Sequence, residues 1–461
     1  MSVVERIWDR LTAFDSATGG LRRHDHAPGR VLLEVVPHVD AELRGGALQV
    51  IRRAREKLLA RGELLPVLQH GPRRVIVVSG PKFCGKTTTA TLFAKSVIKL
   101  NTTQAIDLAR MEPHNTLIGD QPRLVDEWQT VPDIWNEAKA WIDENPKFGQ
   151  FILTGSSTPA DKTKIHHSGA GRIVSIMMRP MSLFESLDSK GTVSLGGLFD
   201  NPGMPIYDLN EDHQIADTAF LLCRGGWPLS LQDDRRVALD VTRNYYEGLF
   251  NFENSENDKF RNKNPEILRM LLRSYARNIS TEASAQTMIA DIIASQNRST
   301  MDSRTFDDYM DALKDLYILE DIDAWNPNLR SKTVVRTTAT RHFVDTSIAC
   351  CALGITPHSL MRDLNSFGMF FEDMAVRDLK IYSAALDGKI MHYRDSRGLE
   401  CDAVIHLNDG RWALVEMKLG GERLIKEGVA NLLRLKNDLA LSGGPEFMMI
   451  LTATGPAYRR P

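Results

Sequence analysis

The sequence predicts an α/β protein built on a doubly wound parallel sheet. Strands alternate with helix-like sequence, and parallel sheets are built from such alternation because each helix returns the chain to the same edge. The strand-like runs are short and apolar, as expected of strands that are buried on both faces. They are RRVIVVSG from residue 73, RLVDE at 123–127 and GQFILTG at 149–155, and the helix-like stretches are 86–99 and about 133–143. We therefore expect an α/β core at residues 46–180.

Length and composition limit the classes of function that fit. The chain has 461 residues, enough for about three domains, and 43% of them are hydrophobic, so more than one core can be buried. The formal net charge is −2, with 57 basic and 59 acidic residues. Any contact with nucleic acid must therefore come from local patches rather than from bulk positive charge.

The cysteines and the N-terminus predict a cytoplasmic protein. The five cysteines form no CxxC pair, which is typical of a reducing compartment and argues against a zinc site or a disulfide framework. The first ten residues, MSVVERIWDR, carry charges and lack the apolar segment of a secretory signal. No run of 18 apolar residues occurs, so we expect no membrane-spanning helix.

Outside the core, the pattern changes along the chain. Residues 1–45 predict an N-terminal extension with an amphipathic helix, which either packs as an arm or docks a partner. Residues 181–260 lose the strand rhythm, and RGGWP at 224–228 indicates a sharp turn within a helical lid. Residues 261–345 contain three helix-like stretches and a β-pair, the plan of a winged-helix-like domain that either binds DNA or serves for packing.

Residues 346–461 predict a C-terminal α/β domain. A helix around 368–386 is followed by the strand-like runs MHYRDS, ECDAVIHL and RWALVEMKL. The last two runs flank Asn408-Asp409-Gly410, a strong signal for a hairpin turn. A final helix (KEGVANLLRLKNDLA) and a strand (FMMILTA) complete the predicted domain.

The stretch between the first strand and the first helix has the sequence of a phosphate-binding loop. It matches G-x-x-x-x-G-K-[ST] with Gly80, Pro81, Lys82, Phe83, Cys84, Gly85, Lys86 and Thr87. Glycines let successive amides face phosphate oxygens, and the helix that follows adds the positive end of its dipole. We expect Lys86 to bind the β- and γ-phosphates of ATP and Thr87 to bind Mg²⁺, with Thr88 beside them in the nucleotide site. The core is thus predicted to be a P-loop NTPase.

Polar residues at the ends of the next two strands predict that the bound nucleotide is hydrolysed. Asp126 would hold the Mg²⁺ of ATP, and Glu127 would orient or deprotonate the attacking water. Ser156, in FILTGSS, would contact the γ-phosphate or that water, although this stretch could equally be a simple turn. The Asp-Glu pair favours hydrolysis over storage of the nucleotide.

Hydrolysis also calls for an arginine that stabilises the transition state. Arg172, in SGAGR, is the first candidate and Arg179 is the second, and either could be a surface charge. His166 and His167 lie nearby without a carboxylate or cysteine at metal spacing, so we expect them in a solvated loop.

A second group of charged residues in the C-terminal domain predicts a metal site. Asp402 and Glu416 lie on strands joined by the hairpin, and Lys418 shares a strand face with Glu416. With Glu372 from the preceding helix, they resemble the D-(x)n-E-x-K pattern of metal-dependent nucleases and would bind Mg²⁺ through oxygen. The alternative is a solvent-facing ion pair. Similarly, the nearby Arg394 and Arg397 either contact phosphates or are surface charges.

These motifs together resemble the AAA-type P-loop ATPases that carry a C-terminal domain of unknown function 4143. The matching stretches include VVSGPKFCGKTTTA, RLVDEWQTVPDIW, FILTGSS, MRPMSLFES, RGGWP, YMDALKDLYILED, RHFVD and YRDSRGLECDAV…WALVEMKLG, over about 50–455. The resemblance implies an ATPase core with a helical lid, a winged-helix-like middle and a restriction-endonuclease-like C-terminal domain. It also leaves open a homo-oligomer, because AAA-type ATPases often form rings in which arginines act between subunits.

We therefore expect an Mg²⁺-dependent ATPase whose C-terminal domain acts on DNA by binding or cleavage. The alternative is a regulatory or interaction protein in which ATP switches conformation and the C-terminal domain is catalytically silent. Both hypotheses need ATP and Mg²⁺ as cofactors, and neither involves a membrane.

Overall fold

The computed structural model describes residues 75–159, 163, 171–209, 213–250, 263–296, 301–327, 337–439 and 443–460, all within one compact unit. The predicted N-terminal extension, the first residues of the predicted α/β core and the pair His166-His167 lie outside the described residues. Within these ranges, no helix has the length and apolar character needed to cross a membrane.

The ATPase core contains the predicted parallel sheet. Its strands are β1 (Val75–Ser79), β2 (Ser96–Lys99), β3 (Arg123–Asp126), β4 (Phe151–Gly155) and β5 (Ile173–Met177), in the order β2–β3–β4–β1–β5. All neighbouring strands run parallel. The helices between them are α1 (Lys86–Thr91), α2 (Thr103–Met111) and α3 (Asp133–Glu144). The carboxyl ends of the strands therefore meet at one edge, which carries the predicted loop.

The helix predicted over 86–99 is wrong in its second half. Helix α1 ends at Thr91, and Ser96–Lys99 forms β2, which pairs in parallel with β3. Val97 and Ile98 are β-branched and favour a strand. Helix α2 then connects β2 to β3, in place of the longer helix that was predicted.

The segment predicted to be a lid is mainly helical. It contains α4 (Leu195–Asp200), the short strand β6 (Tyr207–Asp208), α5 (Ile215–Arg224) and α6 (Arg235–Gly248). In RGGWP, a β-carbon on Gly226 would lie 2.0 Å from the carbonyl oxygen of Met181, so only glycine fits the turn. Trp227 follows and is almost fully buried.

Three helices follow in the predicted order: α7 (Pro265–Arg277), α8 (Ala285–Gln296) and α9 (Ser303–Asp315). The predicted β-pair consists, in the described residues, of isolated antiparallel bridges between Leu319 and Phe343 and between Ile322 and Thr340. Backbone hydrogen bonds also join Glu320 to His342 and Val344 to Ile318, so the two segments pair over a short distance, and the winged-helix-like arrangement stays a prediction.

The C-terminal domain is a mixed sheet packed against a long helix. Its helices are α10 (Thr346–Leu353), α11 (Pro357–Leu360), α12 (Leu364–Ala384) and α13 (Glu422–Asp438). Its strands are β7 (Gly388–Arg394), β8 (Glu400–Leu407), β9 (Trp412–Lys418) and β10 (Met448–Thr452), in the order β10–β9–β8–β7. The predicted hairpin joins β8 to β9, and β10 pairs in parallel with β9. A last strand, β11 (Ala457–Tyr458), pairs with β6.

Candidate functional site

The turn from β1 into α1 is shaped by close backbone contacts. Gly80 has φ +154°, and a β-carbon there would lie 2.0 Å from the carbonyl oxygen of Met178. Gly85 and Phe83 both adopt positive φ values, 99° and 63°, so the loop bends twice before the helix begins. Cys84 is buried and its thiol donates to the Met178 carbonyl at 3.3 Å. Met178, the residue that follows β5, therefore holds the loop in place.

Within the loop, the side chains divide into buried and exposed groups. Lys86 is buried, and its Nζ donates to the carbonyl of Pro81 at 2.8 Å, so the ammonium group is turned back over the loop. The exposed members of the predicted nucleotide site are Lys82, Phe83 and Thr88. The loop carbonyl therefore occupies the position on Lys86 that a phosphate oxygen would take.

Asp126, at the end of β3, links three segments of the sheet edge. It is buried, and its Oδ1 accepts hydrogen bonds from Thr87 Oγ1 at 2.7 Å and from Thr154 Oγ1 at 2.5 Å. Thr87 and Asp126, the two predicted Mg²⁺ ligands of the ATP site, are thus in direct contact. A hydroxyl and a carboxylate suit a hard cation, and the pair fits the Mg²⁺ that accompanies ATP. Thr154, in the predicted FILTGSS stretch, is thus the strand-end residue that contacts Asp126.

Glu127 is held by two donors on the same edge. Its Oε2 accepts hydrogen bonds from Ser156 Oγ at 2.7 Å and from Gln129 Nε2 at 2.5 Å. Its backbone has φ 61°, an uncommon conformation for glutamate that turns the chain sharply after β3. Sequence reasoning missed Gln129, and its position two residues after the Asp-Glu pair was the available signal.

Arg172 lies at the opposite edge of the sheet. It directly precedes β5, and its carbonyl accepts the amide of Val75, the first residue of β1. Since a strand rises about 3.3 Å per residue, Arg172 is separated from the loop by about 16 Å along β5. Its Nε lies 2.6 Å from Asp143 Oδ1. The prediction that Arg172 acts on the nucleotide of its own chain is therefore wrong.

Arg179 follows β5 and lies at the edge that carries the loop. Its guanidinium binds both oxygens of Glu320, with Nε at 2.8 Å and a terminal nitrogen at 2.6 Å. Burial opposes ionisation of Glu320, but the positive charges of Arg179 and Lys380 outweigh it and lower the pKa of this carboxyl group to about 2. Arg179 is thus engaged by a buried ion pair.

The predicted group in the C-terminal domain is brought together around Lys418. The Lys418 Nζ lies 2.6 Å from Glu416 Oε2 and 3.3 Å from Asp402 Oδ2. Asn431 donates to Glu416 Oε1 at 2.6 Å, and the Met417 amide donates to Asp402 Oδ2 at 2.7 Å. Three of the four carboxylate oxygens of Asp402 and Glu416 therefore have donors from the chain itself.

The electrostatics of this group follow from burial and from like charges. Burial and then the charge of Asp402 raise the pKa of Glu416 to about 7 and raise the pKa of Glu372 well above its ordinary value. Burial opposes the charge of Lys418, but Asp402 and Glu416 outweigh it and raise the pKa of the ammonium group. Lys418 therefore supplies positive charge to Asp402 and Glu416, a role that the sequence pattern predicted for a metal ion.

The arrangement does not fit a metal centre. In the described ranges, no three His, Cys, Asp or Glu side chains are grouped as a metal ion requires. The prediction of a second Mg²⁺ site formed by Glu372, Asp402 and Glu416 is therefore not supported, because Lys418 stands between the carboxylates. Arg394 and Arg397 were predicted either to contact phosphates or to be surface charges. Arg394 is paired with Glu400, and Arg397 is paired with Asp395 and Asp438.

Sequence comparisons match three parts of the chain. Residues 72–187 match the AAA domain family, residues 215–359 a domain of unknown function (DUF8612) and residues 367–459 a domain of unknown function (DUF4143). The curated proteins contain no significant match to the chain.

Similar solved structures include distant ones from archaea and an animal. The Walker-type ATPase Paby2304 of Pyrococcus abyssi is 14% identical, with a TM-score of 0.39, over 64% of this chain and 94% of that chain. The ORC2 protein of Aeropyrum pernix is 13% identical, with a TM-score of 0.26, over 71% and 96%. PCH-2 of C. elegans is 14% identical, with a TM-score of 0.16, over 60% and 68%.

The assignment depends on the family matches together with the loop geometry. The AAA match covers the parallel sheet and the loop Gly80–Thr87, and the DUF4143 match covers α12 and the mixed sheet. Both were expected from the motifs. The chain carries an AAA-type P-loop ATPase domain, which supports ATP binding, followed by a C-terminal domain of the DUF4143 family.

Proposed function

We propose that this chain hydrolyses ATP with Mg²⁺ at the edge formed by β1, β3 and β4. The observation that carries the proposal is the contact of Thr87 and Thr154 with one oxygen of Asp126. This contact joins the phosphate-binding turn to a buried carboxylate and to the next strand end, as phosphoryl transfer to water requires. Thr87 and Asp126 would hold the Mg²⁺, which supplies charge neutralisation at the phosphates when it is bound.

The roles of the other residues follow from their contacts. Lys86 would exchange the carbonyl of Pro81 for phosphate oxygens, a charge-assisted hydrogen bond that is stronger than the one it replaces. Glu127 would accept the proton of the attacking water, and Ser156 and Gln129 orient its carboxylate for that task. Amides of the loop would donate to the remaining phosphate oxygens.

Two variants test this proposal separately for binding and for chemistry. Lys86→Ala should lose ATP binding, because the ammonium group that donates back to the loop at Pro81 is removed, while Lys99→Ala at an exposed position should bind normally. Glu127→Gln should bind ATP and release phosphate about 10²–10⁴-fold more slowly. Titration with a fluorescent ATP analogue and a phosphate-release assay with and without EDTA measure both properties. Wild-type protein that binds no ATP, or Glu127→Gln protein that hydrolyses it normally, would contradict the proposal.

For the C-terminal half, the observations favour an ATP-switched binding module over a nuclease. The Asp402–Glu416–Lys418 group is internally paired. In a DNA-binding winged helix, the third helix enters the groove, but here α9 and its cap are mainly acidic on their exposed face. The exposed charged residues of that segment are Asp302, Arg304, Asp307, Asp308, Asp311 and Lys314.

DNA binding or cleavage remains the competing function, and it is tested directly. Plasmid and single-stranded DNA are incubated with wild type, Asp402→Ala and Lys418→Ala in Mg²⁺ or Mn²⁺. We expect no cleavage by any of the three. Cleavage that both substitutions abolish would establish the nuclease, and DNA binding that weakens steeply with salt would establish a phosphate-contacting surface.

The proposed organisation of the chain has five domains, at residues 1–45, 46–180, 181–260, 261–345 and 346–461. No disulfide joins the five cysteines, all of which lie in the described residues, and this supports a reducing, cytoplasmic location. A homo-oligomer is also retained, because Arg172 could act only on the nucleotide of a neighbouring subunit.

A further inference from the structure

The segment after α9 contacts residues at the carboxyl ends of β1 and β5. These ends lie at the edge of the parallel sheet that carries the phosphate-binding loop, here called the nucleotide edge. The Tyr317 hydroxyl is hydrogen-bonded to Ser79, the last residue of β1, directly before the phosphate-binding loop. Three residues later, the Glu320 carboxylate accepts hydrogen bonds from two guanidinium nitrogens of Arg179. Arg179 lies just beyond β5. A segment outside the AAA match therefore packs on the strands that flank the loop.

The backbone beside Arg179 is in direct contact with the loop. The amide of Met178 donates to the carbonyl of Ser79 at 2.7 Å, and its own carbonyl accepts the thiol of Cys84 at 3.3 Å. That carbonyl lies where any β-carbon on Gly80 would be, at 2.0 Å. The loop therefore cannot change shape without moving Met178. Arg179 is the next residue in the chain and would move with it.

Glu320 is also bound from the C-terminal domain. Lys380, on α12, donates from Nζ to the Glu320 carbonyl at 2.5 Å and lies 3.7 Å from Glu320 Oε2. One carboxylate is thus shared by a guanidinium from the ATPase core and an ammonium from the DUF4143 domain. Lys380 is buried and the Arg179 side chain is only 12% exposed, so loss of Glu320 would leave both charges poorly solvated.

Helix α12 is fixed to the core at a second place and continues to the Lys418 group. Arg377 lies 2.7 Å from Asp345, and Asp378 accepts the amide of Leu183, four residues after Arg179. Glu372, on the same helix, interacts with Asp402 and lies eight residues before Lys380, about 12 Å along the axis. One rigid helix therefore touches both the nucleotide edge and the charged group of the C-terminal domain.

We propose that Arg179 is a positioning residue for the phosphate-binding loop and that Glu320 and Lys380 make this positioning depend on α12. ATP binding at the loop and the conformation of the DUF4143 domain are then coupled, and by linkage each affects the other equally. This inference rests on the proposed ATP binding. It gives the silent C-terminal domain a role as the element that responds to, and adjusts, the nucleotide site.

The first test uses the wild-type chain and hydrogen–deuterium exchange measured by mass spectrometry. Saturation with the slowly hydrolysed analogue ATPγS should slow amide exchange in peptides from 364–384 by about fivefold. Peptides from α8, which carries none of the residues that link Arg179 to the Lys418 group, should change less. Bound nucleotide without a selective change on α12 would overturn the inference, whereas a failure to bind nucleotide would contradict the proposed function itself.

The second test removes the link at its far end. Lys380→Met should change KM for ATP by about fivefold and abolish the nucleotide-dependent exchange on α12, while Lys380→Arg should restore both. Lys389→Met, at an exposed position of β7, is the matched control and should behave as wild type. Thermal unfolding verifies that each variant is folded. An unchanged KM and an unchanged exchange response in folded Lys380→Met would overturn the inference, and the wild-type exchange test decides it if that variant does not fold.

Discussion

Three acidic side chains at the nucleotide edge differ in the donors that hold them, and the donors decide what each can do. Asp126 is buried and accepts hydrogen bonds from two hydroxyl groups beside the loop. Glu127 accepts hydrogen bonds from a hydroxyl group and an amide, which are both neutral donors. Glu320 is bound by two cations and is thereby kept ionised. The first two suit chemistry on a phosphate, and the third suits a structural link.

The ion pair of Glu320 predicts a specific loss of stability in acid. Its pKa in the folded chain is about 2 against an ordinary 4.5, so the folded state binds fewer protons than the unfolded state between these values. The stabilisation is complete above about pH 4.5 and is lost as the pH falls toward 2. The 2.5-unit difference corresponds to on the order of 3 kcal/mol.

The measurement compares unfolding midpoints of wild type and Glu320→Gln from pH 6 to pH 3. The gap between the two should be largest at pH 6 and should narrow below pH 4.5. Glu427→Gln, at an exposed position of α13, serves as the control and should follow wild type at every pH. A gap that stays constant down to pH 3 would show that Glu320 is not held ionised by its neighbours.

The residues of the ATP site differ in how far sequence alone could predict them. The loop and the Asp-Glu pair follow from local spacing, because each must occupy a defined position after a buried strand. Thr154 contacts its partner through the sheet order, and Arg179 contacts a segment some 140 residues away, which no local pattern encodes. Gln129 contacts Glu127 two residues away, so its position alone was the available signal. Arg172 was misplaced because a short β-strand separates it from the edge that its sequence position suggested.

Among the elements, the apolar strands were predictable and the edge strands were not. β1, β3 and β4 are almost fully buried, and apolar residues fill their centres. β2 lies at one edge of the sheet, is only half-buried and has polar residues at both ends, so its apolar signal is short. β5, at the other edge, is also only partly buried and was not predicted, although its sequence is largely apolar. In the C-terminal domain, the hairpin turn marked β8 and β9 correctly, because Gly410 supplies the positive φ that its turn needs.

The turn between α5 and α6 makes a prediction about stability. The Gly226 carbonyl accepts a hydrogen bond from the amide of Met181. A β-carbon on Gly226 would lie 2.0 Å from the carbonyl oxygen of Met181. Gly226→Ala should therefore lower the free energy of unfolding by about 1–3 kcal/mol. Gly368→Ala is the matched control, since Gly368 lies within α12 with no atom in reach of a new methyl group.

The control substitution should raise stability, because alanine favours a helix over glycine by about 0.5–1 kcal/mol. Thermal or denaturant unfolding of the two variants beside wild type measures both effects. Opposite signs are the expected result. A Gly226→Ala chain as stable as wild type would mean that the turn and the segment after β5 can separate without cost.

At the scale of the whole molecule, one apolar core contains residues from four of the five domains that the sequence predicted. It includes Ile76 of β1, Leu222 of α5, Phe306 of α9, Phe367 of α12 and Val415 of β9. Two smaller cores lie beneath the parallel sheet and beneath the C-terminal sheet. The domains recognised by the family models therefore share buried surface, and burial of that surface is the dominant favourable term in folding.

This shared core predicts that the parallel sheet and the C-terminal sheet unfold together, although chains of this length often unfold in steps. Trp128 and Trp135 report on the core beneath the parallel sheet, and Trp325 and Trp412 report on the core beneath the C-terminal sheet. Variants that keep only one of these pairs, with the other tryptophans changed to phenylalanine, should show the same midpoint by fluorescence. Calorimetry of wild type should give equal calorimetric and van't Hoff enthalpies. If the C-terminal pair melts first, the shared core is too weak to join the domains, and the coupling through α12 would have to operate between independently folding units.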